Sequence, residues 1–596
     1  MILCAAQLRL IPLLAASAFS ITCATAATYE YDVVVYGGSP AGIAASIQAA
    51  RMGRKVALIE PTRHLGGQLT NGGSVMEPKY SHLVGGIARE FHHRIWNWYA
   101  DETHWTFQKH DSFAGFAPVT SEPDNRRMWT CEPHVAGRVL DDMLREARVH
   151  VVLGRSLHPQ DGVAKEERRL TSIHLGRDEV YAGKFFLDAS YDGQLMAQAG
   201  VTFRTGREAN VTYGETLNGI RPVDADGKWA KWKIDAHVIE GNAKSPLLPG
   251  VAASAAGEAG ADCPAPPTAT LVLCVTREAA NRLPWPKPAK YDIAEYELLL
   301  RVAGKLDAKS LFTLEPLPNG KARLTPGLEL APLFNTVPAE LFSSDLQTRR
   351  KIMRHHRDHM MGLFWTLAND GRVPEQVRKQ LQEIGLCRDE WRDSGSWPSP
   401  SSIPGTRRLV GSTVLTEKHL RGEESTEDPV AMNFGSVQLS PSLPYVTKGD
   451  RIAIEAPAMM ELQPQPVGLQ VLLPKSEECT NLLVPVCVST SYVAEAAFRN
   501  EVVLMVLGQS AGTAAALAVE HKVDVIDLEY PLLRSRLLAD GQVLEDEPLR
   551  QEVQQKVTRE KAAADSVLSD LDRKTKERTN ARAEAQEKRK QQEALR

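Results

Sequence analysis

A chain of 596 residues is longer than one ordinary domain and points to three or four folding units. Its 43% apolar and 24% charged content is that of a soluble globular protein rather than a disordered or fibrous one. A formal charge of −4 leaves no basic excess for holding nucleic acid or an anionic membrane surface.

The N-terminus reads as an export leader. Met1–Ala27 carries one charge, Arg9, then the apolar stretch Ile11–Ile21 and the small residues Ala24-Thr25-Ala26. That stretch is too short to span a bilayer. Cleavage after Ala26 or Ala27 is expected, leaving an exported (periplasmic or extracellular) protein with no transmembrane anchor. Cys4 and Cys23 leave with it. The other cysteines, Cys131, Cys263, Cys274, Cys387, Cys479 and Cys487, show no C-x-x-C spacing, so no metal or cluster site is expected. Export permits disulfides, but so few cysteines make no framework, and most are expected to be buried, inert thiols.

The apolar run Val33–Val35 predicts a strand, Gly37-Gly38-Ser39-Pro40-Ala41-Gly42 a turn, Ile43–Met52 a small-residue helix, and Lys55–Ile59 a second strand ending in Glu60. This is the layout of a dinucleotide-binding βαβ unit. A turn without bulky side chains lets backbone N–H groups reach a pyrophosphate at the positive end of the helix. Glu60, roughly twenty residues beyond the turn, can accept hydrogen bonds from an adenosine ribose. Ser39 stands where the consensus G-x-G-x-x-G has its middle glycine.

A glycine pair follows directly, in Arg63-His64-Leu65-Gly66-Gly67-Gln68-Leu69-Thr70. It resembles the second glycine signature of the glutathione-reductase-like FAD proteins, in which the backbone passes close to the flavin dinucleotide. That resemblance implies FAD rather than NAD. The expected cofactor-binding residues are Gly37, Gly38, Ser39, Ala41, Gly42, Glu60, Arg63, Gly66, Gly67 and Gln68.

Val84–Trp98 and Glu132–Ala147 read as amphipathic helices. His92, His93, His104, His110 and His134 lie among them without metal-ligand spacing, so structural or surface roles are expected. Val149–Gly154 predicts a strand, Arg169–Val180 a hairpin, and Lys184–Ala189 a strand turning at Asp188. Asp188 reads as a turn-capping residue or a flavin contact. Further on, Gly250–Ala269 suggests a loose excursion, Thr270–Thr276 a strand, Leu346–Asn369 and Glu375–Ile384 helices, and Trp391–Pro404 a loop. Leu482–Val488 predicts a buried strand. Arg499–Glu520 predicts a helix with a small-residue stripe of Gly508, Ser510, Ala511, Gly512 and Ala515. The last segment, Leu549–Arg596, has thirteen basic and nine acidic residues and no Gly, Pro or aromatic. It reads as a solvated helix or disordered tail, with a partner-binding helix as the other reading.

The stretches GGSPAG, HLGGQLTNGG, LDASYDGQLMAQAGV, GREANVTYGETLNG, GLFWTLANDGRVP, ECTNLLVPVCVS and RNEVVLMVLGQSAGTAAALA together resemble the exported FAD-dependent oxidoreductases of that class, over most of Tyr31–Gln542. The resemblance implies an α/β fold. A Rossmann-type FAD-binding domain (28–227 and 451–548) would carry an inserted α+β substrate or cap domain (228–450), between a leader (1–27) and the charged tail (549–596). It places the N-terminus of the Arg499–Glu520 helix at the flavin. Asp188, Gly508, Gln509 and Gly512 join the cofactor set, and Arg499 and Glu501 become the catalytic candidates.

The chain departs from the family on the substrate side. Ser402–Arg408 stands where the family has a stretch like Y-V-R-E-A-R-R, and Gly435-Ser436-Val437-Gln438 where D-S-H follows a turn. Gly468–Pro474 replaces a P-Y-R-S-L-V-P-like run, Ser489-Thr490-Ser491-Tyr492 an S-x-S-H, and Arg499-Asn500-Glu501-Val502 an R-M-E-P. Leu, Pro or Gln cannot relay protons near neutral pH as His or Asp can. Two functions follow as expectations: hydride transfer from a small-molecule substrate to flavin, with an undetermined electron acceptor, or a catalytically degenerate flavin-binding scaffold.

Overall fold

The computed structural model describes residues 27–72, 79–116, 126–176, 179–263, 272–305, 311–327, 330–334, 341, 346–398, 407–441 and 443–546. The leader before residue 27, the tail from 549 onward, the end of the expected 391–404 loop and Ser402–Thr406 lie outside these residues.

Strand β1 (Ala27–Tyr36) passes through the glycine turn into helix α1 (Pro40–Arg51) and strand β2 (Val56–Glu60). The two strands pair in parallel, Val33 opposite Val56 through Tyr36 opposite Ile59. Val33, Val34 and Val35 are fully buried, as a central parallel strand covered on both faces requires. Helices α2 (Gly86–Tyr99) and α3 (Pro133–Glu146) precede β3 (His150–Leu153), which joins β2 in parallel. Then β4 (Val163–Glu166), β5 (Arg169–Leu175) and β6 (Glu179–Asp188) form an antiparallel meander, and β6 returns parallel to β1. The sheet runs β3-β2-β1-β6-β5-β4, with Leu482–Leu483 added in parallel on β6.

Two strand expectations change. The strand expected at Lys184–Ala189 is the second half of β6, continuous with the hairpin before it. The strand expected over Leu482–Val488 stops at Leu483. Val484 donates its N–H to the Leu472 carbonyl, and Pro485 has no N–H to continue the ladder.

The helix Glu501–His521 lies across α1. A Cβ on Gly508 would collide with the main chain of Ala41, and one on Gly512 with that of Ala45. Bare glycine at one-turn spacing lets the two backbones touch. This helix is long and apolar enough to cross a membrane, yet 94% of its apolar window is buried inside the protein.

A second, five-stranded sheet is antiparallel throughout. Its order is Phe312–Leu317, Lys321–Pro326, Leu273–Thr276, Gly385–Cys387 and Arg282–Leu283. With the helices Leu346–Asn369 and Glu375–Glu383 it encloses its own core, where Trp285 stacks on Phe364 at 4.5 Å. Packing does not divide the two cores at one residue near 450. Val430, Val437 and Leu439 bury in the first core, Ile452 and Ile454 in the second, and Val467 in the first again. The chain crosses between layers several times, so the 228–450 boundary expected from sequence is too simple.

Candidate functional site

The parallel strands end at one edge, and the site is built from their C-terminal tips. Gly37 has φ +109°, and a Cβ there would collide with the Ala189–Ser190 peptide at the tip of β6. Only glycine fits. Its N–H donates to the Ile59 carbonyl at 2.7 Å. Ser39 caps α1 by accepting the Gly42 N–H at 3.2 Å, and a Cβ on Gly42 would strike the Gly37 carbonyl. The middle position of the glycine motif is thus filled by a capping hydroxyl.

Gly66 donates its N–H to the Gly38 carbonyl at 2.8 Å, docking the second glycine pair directly on the first turn. Glu60, at the tip of β2, accepts the N–H groups of Gly38 (2.7 Å) and Thr62 (2.8 Å). Burial raises its pKa above the usual carboxylate value. Around these atoms lies a crevice of about 910 Å³, including its part open to solvent, lined by Gly37, Gly38, Ser39, Glu60 and Gly67 and closed by residues of the β6 turn. One side is the glycine turn with Glu60 beside it, and Asp192, Leu341, Arg349 and Met353 line it as well. A bare turn next to a strand-tip acid fits an adenine dinucleotide.

Three crevice residues were not among the expected site residues, although Tyr191 and Asp192 lie in the stretch LDASYDGQLMAQAGV. Tyr191 lies over Gly67, accepts the Gln68 N–H at 3.2 Å and donates its hydroxyl to Glu501 at 2.8 Å. Asp192 receives Arg349 at 2.8 Å, which brings the long helix of the second core to the crevice. Both contacts join segments far apart in sequence.

The remaining predicted residues divide. Glu501 is buried at the first turn of its helix, and burial pushes its pKa up to about 8. Arg499 does not join it. It pairs with Glu495 at 2.7 Å and lies over the Tyr492 ring. Asp188 is a turn-holding residue, not a crevice group. It accepts Ser190 N–H, Ser190 Oγ and Met196 N–H, and burial raises its pKa to about 6. Gly508 and Gly512 serve the contact with α1, where Gly508 lies against the main chain of Ala41. Gln509 is likewise a packing residue, its Oε1 accepting the Ile87 N–H at 2.7 Å. Helix-to-helix approach, rather than a cofactor, accounts for that stripe. Arg63 is exposed, its stem beside Gly154, on a neighbouring cleft.

The ligand atoms of Glu132, His134 and Glu390 lie within 4.8 Å of one another, a grouping able to hold a metal ion. Lys321 takes that place. Its fully buried ammonium lies 2.7 Å from Glu132, 2.8 Å from Asp389 and 2.6 Å from Glu390. His134 Nδ1 meets Glu390 at 2.8 Å. Burial alone would lower the imidazole pKa, but the Glu390 hydrogen bond and charge outweigh it and the pKa stands above the usual value.

A glycine turn between parallel strands, a buried acid at the second strand's tip and a second glycine pair docked on the first turn define a Rossmann-type dinucleotide-binding protein. A family model described as FAD dependent oxidoreductase matches residues 32–537, and the chain belongs to that family. FAD is its cofactor, and flavin-dependent redox activity is its class. Among curated proteins, the soluble pyridine nucleotide transhydrogenase of Pseudomonas putida (strain GB-1) is 45% identical over 58 residues, and that of Pseudomonas fluorescens (strain SBW25) likewise. The match spans 10% of this chain and 12% of each relative. Among solved structures, a geranylgeranyl bacteriochlorophyll reductase-like protein from Thermoplasma acidophilum is 11% identical over 87% of this chain and 85% of its own, with a TM-score of 0.30. Thermovibrio ammonificans THI4 is 18% identical over 32% and 71%, with a TM-score of 0.20.

Proposed function

We propose that the protein oxidises a small organic substrate by hydride transfer to FAD seated in the crevice. The observation carrying this reading is the docking of Gly66 on Gly38 beside Glu60, which joins both glycine signatures to the ribose-binding acid. In this reading Gly37, Gly38, Ser39 and Gly42 meet the diphosphate, Glu60 the adenosine ribose, and Gly66, Gly67 and Gln68 the flavin half. Bound FAD supplies the two-electron acceptor. Glu501 holds a proton at its carboxyl near neutral pH, and the Tyr191 hydroxyl links that carboxyl to the crevice wall. A sugar, another small alcohol or an amine is the substrate class. Dioxygen, a quinone or a partner protein takes the electrons in this reading. Export belongs to the same proposal and rests on the Met1–Ala27 pattern alone.

The test is anaerobic mixing of the yellow protein with a panel of sugars, alcohols and amines. Bleaching of the flavin absorbance by one of them supports the proposal. Bound flavin that none of them reduces supports the rival reading, a flavin-binding scaffold with a partner-binding tail. One observation favours that rival: Val437, Leu439, Leu469, Val471 and Leu472 are buried apolar residues in segments where the family is expected to carry ionisable groups.

A further inference from the structure

All six cysteines of the described residues are buried, and two of them face each other. Cys274 lies on the strand Leu273–Thr276 and Cys387 on Gly385–Cys387. These strands pair antiparallel with Leu386 opposite Val275, which puts Cys387 opposite Cys274. Directly opposed residues of such a ladder have Cα atoms roughly 4.5–5.5 Å apart. A disulfide spans about 4.4–6.8 Å between Cα atoms, so the backbone already meets its requirement. The two sulfurs lie 3.6 Å apart, in a small cluster with Leu317 and Trp391.

We propose that Cys274 and Cys387 are a disulfide site, closed while the second sheet folds in an oxidising medium. Each thiol loses its proton, the pair gives up two electrons, and one S–S bond forms. A small-molecule disulfide such as oxidised glutathione takes the electrons, its own S–S bond breaking to give two thiols. The timing follows from burial. Both side chains have no exposed surface in the folded protein, and burial pushes the Cys274 thiol well above its usual range. The thiolate needed for exchange is therefore available only before the strands are covered. The same burial shields the finished bond from reductants.

The position gives the bond a purpose. Just after Cys387 come Glu390, which meets Lys321 and His134, and Trp391, whose Nε1 donates to the Thr70 carbonyl at 3.0 Å. That carbonyl belongs to the loop carrying the second glycine pair. A cross-link between residues 113 apart in sequence fixes the register of the segment that braces this loop.

The experiment refolds the full chain in mixed reduced and oxidised glutathione, alkylates it in denaturant and digests it without reduction. One linked peptide pair containing Cys274 and Cys387, separable by reductant, is the expected result. The oxidised protein should also melt about 2–4 °C above the reduced form. Recovery of both cysteines as alkylated free thiols, linkage of either to another cysteine, or equal melting temperatures would overturn the proposal.

Discussion

Gly37 shows how little freedom a single position in the crevice has. Its φ of +109° and the Ala189–Ser190 peptide against its Cα leave no room for a methyl group. Gly37→Ala combines backbone strain with overpacking against main chain, and should cost about 3 kcal/mol or more. Urea unfolding reads that loss, and flavin absorbance of the purified variant should fall with it. Glu501 is the other residue whose surroundings set its behaviour. Its folded pKa is raised to about 8 by burial, so the folded state holds a proton that the unfolded chain releases above about 4.5. Stability is unaffected by this group below pH 4.5 and declines as pH rises from there through 8, by up to a few kcal/mol. Glu501→Gln should flatten that slope in unfolding curves taken from pH 4.5 to 8.5. A variant with an unchanged slope would show that Glu501 ionises freely in the fold.

At the scale of elements, the contact between α1 and the helix Glu501–His521 closes the nucleotide-binding half. Pro40–Ala49 of α1 are all buried, and Gly508 and Gly512 let the second helix press on Ala41 and Ala45. Backbone cannot rotate aside as a side chain can, so Gly508→Val should destabilise by about 3 kcal/mol, at the upper end of overpacking costs. Chemical denaturation measures this, and protein that still folds in the cold should retain its yellow colour, because Gly508 faces α1 and not the crevice. Loss of flavin from a variant of undiminished stability would return Gly508 to the cofactor set.

For the whole molecule, Lys321 joins the two cores. It comes from the second sheet and reaches Glu132, at the start of α3, as well as Asp389 and Glu390. Asn319 adds an amide hydrogen bond to Glu132 at 2.8 Å. Removing one partner from buried ions is far costlier than the net worth of the pairs. Lys321→Met should therefore lose about 3–5 kcal/mol at pH 7. The deficit should shrink as pH falls into the carboxylate range, since protonation then relieves the stranded charges. Paired thermal melts of both proteins at pH 7 and pH 5 would show the gap narrowing; a constant gap would mean the ammonium acts by packing alone.

Much of the cofactor side was legible before folding, because its signals are local. Glycines that must approach backbone, an acid at a strand tip and a small-residue helix are short-range features, and Gly37, Glu60 and Gly66 meet within one turn-helix-strand-loop unit. The stripe at Gly508 and Gly512 was legible as close approach but not as to what is approached, since the same residues serve a helix or a diphosphate. Tyr191 with Glu501, Arg349 with Asp192, Lys321 with Glu132 and Cys274 with Cys387 carry no sequence signal, because each pair spans a long stretch of chain. Local steric and hydrogen-bonding demands thus determined the βαβ unit and its ligand class from sequence alone. Which side chains enclose that ligand was decided by tertiary packing, where burial and long-range contact give ordinary residues their properties.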